Sequence, residues 1–507
     1  MAEFLSGMAG VLDPLVLLFI FIGVFVGIVF GSIPGLTATM AIVMFLPVTY
    51  TMTSVQGMSM LMALYIGGIS GGLISAILLN IPGTPSSIAT TFDGRPMALK
   101  GQAGKALGTG VVFSFCGTII GIAVLMVAAP IIAALAIKFG PYEYCTLSLC
   151  ALSLVISLTG RDLVKGLVSG LLGIMLATVG LAPIDSAKRF TFGSVELNSG
   201  FALLTLLIGL FAVTEVIKAA EEVRKPINAT MENQDVRIKG FGFTLKEFLA
   251  QKWNMIRSSF IGIVIGILPG IGGAISGMLS YTAAKNASKH PEKFGTGVMD
   301  GIVASETANN AGIGGAMIPM LTLGIPGDAA TAMLLGGLMV HQIAPGPLIF
   351  EKSAADVYGI YGAMIVAAFA MLLLELFGIR IFIRVLKLKK YWLMPIIMVL
   401  CTVGAFGNAN RMFDVWSVLV FGAAGYALLK AGVPHVPMIL GFILGPIFEL
   451  NFRRAVQHYD INPTDWMSHP IAIFFFAFTI FVIVYSLIRQ RREARLGGND
   501  NQTSNEE

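Results

Sequence analysis

The sequence is poor in charge. Only 12% of its 507 residues are Asp, Glu, Lys or Arg, against about 25% in soluble domains, and no lysine or arginine occurs before Arg95. The net charge of +5 comes from segregated basic segments, not from one basic face, so nucleic acid is not an expected partner. Without a basic n-region, the first apolar run is expected to stay in place as a span and not to be cleaved as a signal peptide. Cysteine is also scarce: Cys116, Cys145, Cys150 and Cys401 sit in or beside apolar runs without metal-ligand spacing, and read as small packing residues outside any disulfide framework. The five histidines, His290, His341, His435, His458 and His469, are scattered and form no HExxH or similar pattern. The Gly-x-x-x-x-Gly-Lys-Ser/Thr phosphate loop is missing as well. These absences exclude transition-metal chemistry, P-loop ATP hydrolysis and a recognisable catalytic constellation.

What is present is apolar. Hydrophobic residues make up 56% of the chain, and a bilayer-crossing helix needs about 20 of them in a row. Runs near 14–33, 36–50, 58–80, 106–137, 141–159, 163–183 and 201–217 form a first half. Runs near 257–285, 303–325, 328–349, 356–385, 391–407, 413–430, 434–450 and 470–488 form a second. The expected fold is an all-α polytopic membrane protein with about twelve spanning or re-entrant segments. Its parts are an N-terminal membrane repeat (1–217), a cytoplasmic connector (218–256), a C-terminal membrane repeat (257–488) and a cytoplasmic tail (489–507). The connector carries Lys218, Arg224, Lys225, Arg237, Lys239, Lys246 and Lys252, and the tail four arginines from Arg489 to Arg495; both read as cytoplasmic by the positive-inside rule. Within the connector, Phe241, Leu245, Phe248, Leu249 and Ile256 share a helical face, suiting either an interfacial helix or the start of the next span.

The two halves match. Gly27-Ile-Val-Phe-Gly31-Ser-Ile-Pro34-Gly35 parallels Gly262-Ile-Val-Ile-Gly266-Ile-Leu-Pro269-Gly270. Gly68-Ile-Ser-Gly71-Gly72 followed by Ile81-Pro82-Gly83 parallels Gly312-Ile-Gly-Gly315-Ala316 followed by Ile325-Pro326-Gly327. A weaker match pairs Gly180-Leu-Ala-Pro183 with Gly432-Val-Pro434. Duplicated halves with interrupted apolar segments in corresponding places point to a secondary transporter whose site lies between the repeats. Opposite charge bias at equivalent positions argues that the repeats are inverted.

The interruptions carry the chemistry, because backbone left unpaired at membrane depth is tolerated only where it is buried in protein or lines a watery cavity. In the first half, Asn80-Ile-Pro-Gly83-Thr84-Pro85-Ser86-Ser87 offers an N-cap threonine, a proline at the first helical position and three hydroxyls. A helix N-terminus of that kind suits a carboxylate. In the second half, Gly327-Asp328-Ala-Ala-Thr331 puts Asp328 at the Thr84 position and Thr331 at the Ser87 position. Asp328 is either a helix cap or a ligand for a coupling cation. Asn309 and Asn310 follow Glu306 into the glycine-rich segment and suit either a polar cavity, without choosing its ion, or hydrogen bonding between helices. The first breaks, Pro34-Gly35 with Ser32 and Thr37 in one half and Pro269-Gly270 with Gly272, Gly273 and Ser276 in the other, are either kinks or carbonyl cages for a cation. Asn80, Gly83, Thr84, Ser86, Ser87, Asn309, Asn310, Gly327 and Thr331 are thus the candidate substrate residues. Asp328, Ser32, Pro34, Thr37, Pro269, Gly270 and Ser276 are the candidate cation residues, with Na⁺ or H⁺ as the ion and no cofactor. Glu375 and Asp356, in or near apolar runs, read as packing or gating groups.

Four long motifs, residues 27–50 (GIVFGSIPGLTATMAIVMFLPVTY), 78–108 (LLNIPGTPSSIATTFDGRPMALKGQAGKALG), 266–285 (GILPGIGGAISGMLSYTAAK) and 304–347 (ASETANNAGIGGAMIPMLTLGIPGDAATAMLLGGLMVHQIAPGP), closely resemble the large membrane subunit of bacterial tripartite tricarboxylate transporters, the TctA family. The resemblance spans nearly the whole chain. It implies a non-enzymatic carrier of the bacterial inner membrane, driven by an ion gradient and working with a small transmembrane subunit. It also implies that a periplasmic solute-binding protein delivers a citrate-like di- or tricarboxylate. The competing classes are a membrane-embedded enzyme and an anion channel; the first lacks a nucleophile beside a base and the second lacks a filter motif.

Overall fold

The computed structural model describes residues 2–159, 163–222, 241–270, 272–386, 393–459, 466 and 468–503. The central part of the connector, 223–240, with Arg224, Lys225, Arg237 and Lys239, lies outside them, as do the side chains of most of the arginine-rich tail. In chain order the first-half helices are α1 (Ala2–Val11), α2 (Pro14–Ser32), α3 (Ala38–Phe45), α4 (Ser54–Leu79), α5 (Ile88–Met97), α6 (Ala103–Ala136), α7 (Pro141–Thr159), α8 (Leu163–Ala177), α9 (Leu203–Leu207) and α10 (Thr214–Glu222). They continue with α11 (Leu245–Ala250), α12 (Lys252–Ile267), α13 (Gly272–Ala287), α14 (Met299–Leu323), α15 (Ala329–Val340), α16 (Ile349–Lys352), α17 (Ala354–Val385), α18 (Leu393–Ala409), α19 (Met412–Lys430), α20 (His435–Tyr459) and α21 (Pro470–Thr503). Strand among the described residues is confined to Gly180–Leu181 paired antiparallel with Lys188–Arg189.

Among the described residues, eight helical stretches are long and apolar enough to cross a membrane, and Ala38–Thr51, Leu163–Ala177, Ala329–Val340 and Leu393–Gly407 are shorter apolar helices. The chain is therefore an all-α, multi-pass membrane protein. By internal packing it divides into two compact units, Met1–Ile137 with Leu207–Ala423, and Lys138–Leu206 with Ala424–Glu507. Each unit draws on both sequence halves. The second unit packs α20 against α7 and α8 and α21 against α7; its buried Glu143 is tied to His469 at 2.8 Å and its Arg189 to Glu449 at 2.6 Å. All four breaks belong to the first unit.

Local sequence explains where the helices of that unit start. Asp13 caps α2, accepting hydrogen bonds from the Leu15 and Val16 N–H at 2.8 and 3.3 Å, with Pro14 at the first helical position. Thr53 and Gln56 close a reciprocal capping box on α4. Residues 241–256, for which sequence allowed two readings, form the short α11 and the first turn of α12, separated at Gln251. The apolar side chains of this stretch diverge. Phe243 and Phe248 pack on Phe113 of α6 with ring centroids 6.0 and 5.3 Å away, while Leu245, Leu249 and Trp253 are exposed. Lys105 of α6 pairs with Glu247, and this bond together with those from Thr244 pulls the Glu247 carboxyl down to about 2, so the pair stays charged through the neutral range.

Small residues then set how closely the helices approach. Between apolar helices in lipid, van der Waals packing replaces the hydrophobic drive, and small residues permit close backbone contact. An ideal Cβ on Gly27 would stand 2.6 Å from the Leu64 carbonyl oxygen, and one on Gly266 2.6 Å from that of Gly312. These glycines bring α2 onto α4 and α12 onto α14, and the two helix pairs come from the matched motifs. The long helices then cross between halves: α14 packs on α6 and α4 on α17.

Gly266→Ala is expected to force α12 from α14 and to destabilise the protein by about 1–3 kcal/mol, the usual range for overpacking. Gly110→Ala, whose Cβ would meet Leu73 at an ordinary 3.4 Å, is expected to leave the midpoint near wild type. Thermal or denaturant unfolding of the two variants in one detergent checks the contrast.

Candidate functional site

Each break begins where a helix runs out of allowed backbone. Asn80 ends α4 at φ +58 and Gly324 ends α14 at φ +71, both in the left-handed region that stops helices. The Gly324 N–H still reaches the Met320 carbonyl at 3.2 Å. In the first break of each half the chain turns extended, at Ile33 and Leu268, before a glycine with positive φ, Gly35 or Gly270. The following glycines fit matched slots. A Cβ on Gly327 would lie 2.7 Å from the Gly266 carbonyl, and one on Gly83 would collide with the Gly31 carbonyl. Backbone against backbone at these points leaves no room for a side chain.

The helices that restart after the breaks are capped in different ways. Thr84 and Ser87 bond reciprocally: Ser87 Oγ donates to the Thr84 carbonyl at 2.9 Å, and the Thr84 N–H approaches Ser87 Oγ at 3.4 Å. Thr84 Oγ1 lies 2.9 Å from Ser86 Oγ. At the second tip, Asp328 Oδ1 accepts from the Thr331 N–H at 2.7 Å and from its hydroxyl at 2.8 Å, and Thr331 Oγ1 accepts from the Asp328 N–H at 2.8 Å. Asp328 is thus a helix cap through one oxygen. Its other oxygen, Oδ2, accepts from Tyr65 Oη at 2.8 Å, a bond from the first half to the second.

Both tips come to the N-terminal turn of α13. The Gly270 N–H donates to the Gly327 carbonyl at 2.7 Å. A Cβ on Gly272 would face Asp328 at 3.8 Å, and one on Gly273 would stand 2.9 Å from Ser86 Cβ and press on Asn309 Oδ1. Between these groups lies a narrow cavity of about 10 Å³, lined by Tyr65, Ile69, Gly266, Gly272, Gly273, Ser276, Asn309, Gly312, Ile313, Ala316, Gly327 and Asp328. That is the space of one water molecule, suited to a single small ion and too small for a carboxylate. Asn309 is 2% exposed, and neither its Oδ1 nor its Nδ2 has a hydrogen-bond partner among the described residues.

The structure therefore brings together Ser86, Gly270, Ser276, Asn309, Gly327 and Asp328 of the residues singled out from sequence. Ser32 and Thr37 are engaged locally, and Ser276 makes a local bond while lining the cavity. Ser32 Oγ donates to the Val29 carbonyl at 3.0 Å, Thr37 caps α3 by accepting from the Met40 N–H at 3.3 Å, and Ser276 Oγ donates to the Gly273 carbonyl at 2.9 Å. Pro269 is buried, Pro34 half-buried and Asn80 exposed, while Gly83, Thr84, Ser87 and Thr331 are buried at the tips. Asn310 turns from Asn309 toward α6, where its Nδ2 donates to Ser114 Oγ at 2.8 Å.

Sequence reasoning missed Tyr65 and the partners of the buried acids. Tyr65 lies three residues before Gly68, as Asn309 lies three before Gly312, so the matched halves pair a tyrosine with an asparagine. Continuing that comparison, the first half carries Ala38, Ala41 and Thr84 where the second carries Gly273, Ser276 and Asp328. The cavity thus takes Ser276, Asn309 and Asp328 from the second copy of the motif and Tyr65 and Ile69 from the first. Glu306 is fully buried and bonded by Thr90, by Ser114 Oγ at 3.0 Å and by Asn310. Glu375, also fully buried, accepts from Ser70 Oγ at 2.9 Å, and Asp356 accepts from Ser54 Oγ at 2.8 Å.

Residues 17–440 match the family described as tripartite tricarboxylate transporter TctA family. An uncharacterized 52.8 kDa protein in the TAR-I ttuC' 3' region of Agrobacterium vitis is 34% identical over 489 residues, 96% of each chain. An uncharacterized protein in the TAR-II ttuC' 3' region of the same organism is 32% identical over 206 residues, 41% of this chain and 85% of that one. No solved structure matches.

Asp328→Ala removes the cap and is expected to cost about 0.5–2 kcal/mol, whereas Asp328→Asn, which keeps an accepting oxygen, costs less. Tyr65→Phe removes one bond to a charged group and is expected to cost about 1.5–3 kcal/mol. Unfolding midpoints of the three purified variants against wild type check the order.

Proposed function

The chain belongs to the TctA family of tripartite tricarboxylate transporters, and from that premise we propose that it is the large membrane subunit of such a carrier. In this reading it performs secondary active, cation-coupled uptake of a citrate-like di- or tricarboxylate across the bacterial inner membrane. A periplasmic solute-binding protein delivers the substrate, and a small transmembrane subunit completes the complex. The two sequence halves act as inverted repeats whose interrupted helices form re-entrant tips, giving about twelve membrane segments with the shorter apolar helices counted.

One observation carries the proposal. The Asn309 amide, buried and without a hydrogen-bond partner among the described residues, lines a one-water-sized cavity with Asp328 and Ser276 at the meeting point of both tips. A buried polar group left unsatisfied costs about 1–3 kcal/mol, and such groups persist where a ligand completes them. The cavity's size and oxygens suit a bare monovalent cation. The carboxylate then belongs at the other tip, where Thr84, Ser86 and Ser87 supply hydroxyls at a helix start and no fixed cation holds the anion too tightly. Cation and anion sites share the α13 turn through Gly272 and Gly273, so filling one alters the packing around the other. The tips move together as an inner block against the remaining helices.

The test is uptake of labelled citrate and succinate into proteoliposomes holding this chain, its small subunit and binding protein, with Na⁺ and H⁺ gradients imposed separately. Uptake is expected only with a gradient and with binding protein. Gradient-independent flux is the channel outcome, and consumption of substrate the enzyme outcome; either rejects the carrier. Replacing Thr84, Ser86 and Ser87 together by Ala is expected to lower uptake by about tenfold or more, since one lost bond to a charged group is worth at least about 1.5 kcal/mol. Wild-type uptake by that variant rejects the anion site.

A further inference from the structure

Glu306 lies two turns into α14 with none of its surface exposed. Among the described residues no lysine, arginine or histidine forms an ion pair with it. An isolated buried carboxylate is costly in a low-dielectric surrounding and tends to hold a proton instead. What surrounds it are hydroxyls and an amide from three helices: Thr90 of α5 on Oε1, Ser114 of α6 at 3.0 Å on Oε2, and Asn310 Nδ2 of α14 at 3.4 Å. Thr90 Oγ1 continues to Ser305 Oγ at 3.1 Å, and Ser305 Oγ donates to the Gly301 carbonyl at 3.0 Å.

This chain of hydroxyls satisfies either charge state. When Glu306 is ionised, Thr90 and Ser114 donate to it. When Oε1 carries a proton, that proton is donated to Thr90 Oγ1, the Thr90 hydroxyl turns to Ser305 Oγ, and Ser305 donates on to Gly301. Every proton has an acceptor in either state: protonated, the chain makes three bonds; ionised, Thr90 donates to Oε1 and Ser305 to the Gly301 carbonyl, and the Thr90–Ser305 contact carries no proton. A hydroxyl rotor needs no space to change direction.

The charged and titratable groups on neighbouring elements do not neutralise Glu306. From α17 comes a second buried carboxyl, Glu375, held by Ser70 of α4. On α5 is Asp93, held by Tyr281 of α13 at 2.9 Å and by the Gly295, Gly297 and Val298 N–H groups. On α4 is Tyr65, committed to Asp328. Of the bases at the helix ends, Lys105 of α6 is engaged with Glu247, Arg257 of α12 with Asn254 at 2.6 Å and Arg95 of α5 with the Leu78 carbonyl, and Lys285 of α13 is exposed.

Position gives the site its role. Thr90 is on the helix that starts at the Thr84–Ser87 tip, and Asn310 is next to Asn309, which lines the Asp328 cavity. We propose that Glu306 is a proton-binding site of the transport cycle, taking up one proton from one side of the membrane and releasing it to the other as the hydroxyl tip moves. This rests on the carrier reading above and adds to it an ion site separate from Asp328.

Two measurements decide it. The first is infrared difference spectroscopy over a pH series on the purified chain in lipid nanodiscs, comparing wild type, Glu306→Gln and Glu375→Gln. A protonated-carboxyl band that titrates in wild type, is lost in Glu306→Gln and survives in Glu375→Gln is the expected result. No titrating band in wild type, or its persistence in Glu306→Gln, overturns the proposal. The second is labelled-citrate transport by the assembled complex in proteoliposomes. Glu306→Gln is expected to keep citrate exchange but lose the acceleration by an inward proton gradient; retained acceleration overturns the proposal. Should Glu306→Gln not fold, the wild-type complex decides, since citrate entry without movement of protons into the vesicle is equally fatal. A complex that carries citrate without protons leaves the carrier reading standing and removes Glu306. A complex that moves no carboxylate removes the carrier reading, while the infrared result still reports on Glu306.

Discussion

The structure depends on how unpaired backbone is satisfied where helices stop at membrane depth. Each of the four interruptions strands carbonyl and N–H groups, and in hydrocarbon each such group left alone costs several kcal/mol. Two of the interruptions are joined by a hydrogen bond, and glycines let the breaks pack closely on the backbone beside them. Gly270 bonds to Gly327, and Gly83 and Gly327 lie against the carbonyls of Gly31 and Gly266. That solution demands glycine at fixed places, which is why the glycine pattern is duplicated so faithfully while the side chains between the glycines are free to differ.

Those differences are where chemistry enters. With the glycine scaffold common to both halves, the first half carries Thr84, Ala41 and Tyr65 where the second carries Asp328, Ser276 and Asn309. The outcome is one tip rich in hydroxyls and one bearing a carboxylate, joined by the Tyr65–Asp328 bond. Asp328 caps α15 with one oxygen and accepts from Tyr65 with the other.

Most of the fold was legible in the sequence because hydropathy and glycine spacing report on lipid and on close packing, both local properties. The cap at Thr84, and the cap at Asp328 as one of two readings, followed from cap chemistry at single residues, while the ends of the preceding helices were read only as the ends of apolar runs. The meeting of both tips at Gly272 and Gly273 was not legible, since it depends on which helices cross between halves, and no periodicity encodes that. Tyr65 was hidden because a tyrosine within an apolar run reads as core until its partner is known. Glu306 and Glu375 stood out as acids in apolar runs, but their hydroxyl partners, Thr90, Ser114 and Ser70, come from helices far away in sequence.

The central claim is that the interrupted helices hold the transported anion, and the most direct measurement is ligand protection at the hydroxyl tip. On a background with the four native cysteines replaced, Ser86→Cys in proteoliposomes is labelled with a small maleimide, with and without citrate and an imposed cation gradient. The account predicts that citrate slows labelling at position 86 and does not slow it at an exposed control such as Leu245→Cys. Equal labelling of Ser86→Cys with and without citrate, in vesicles that take citrate up, would contradict it.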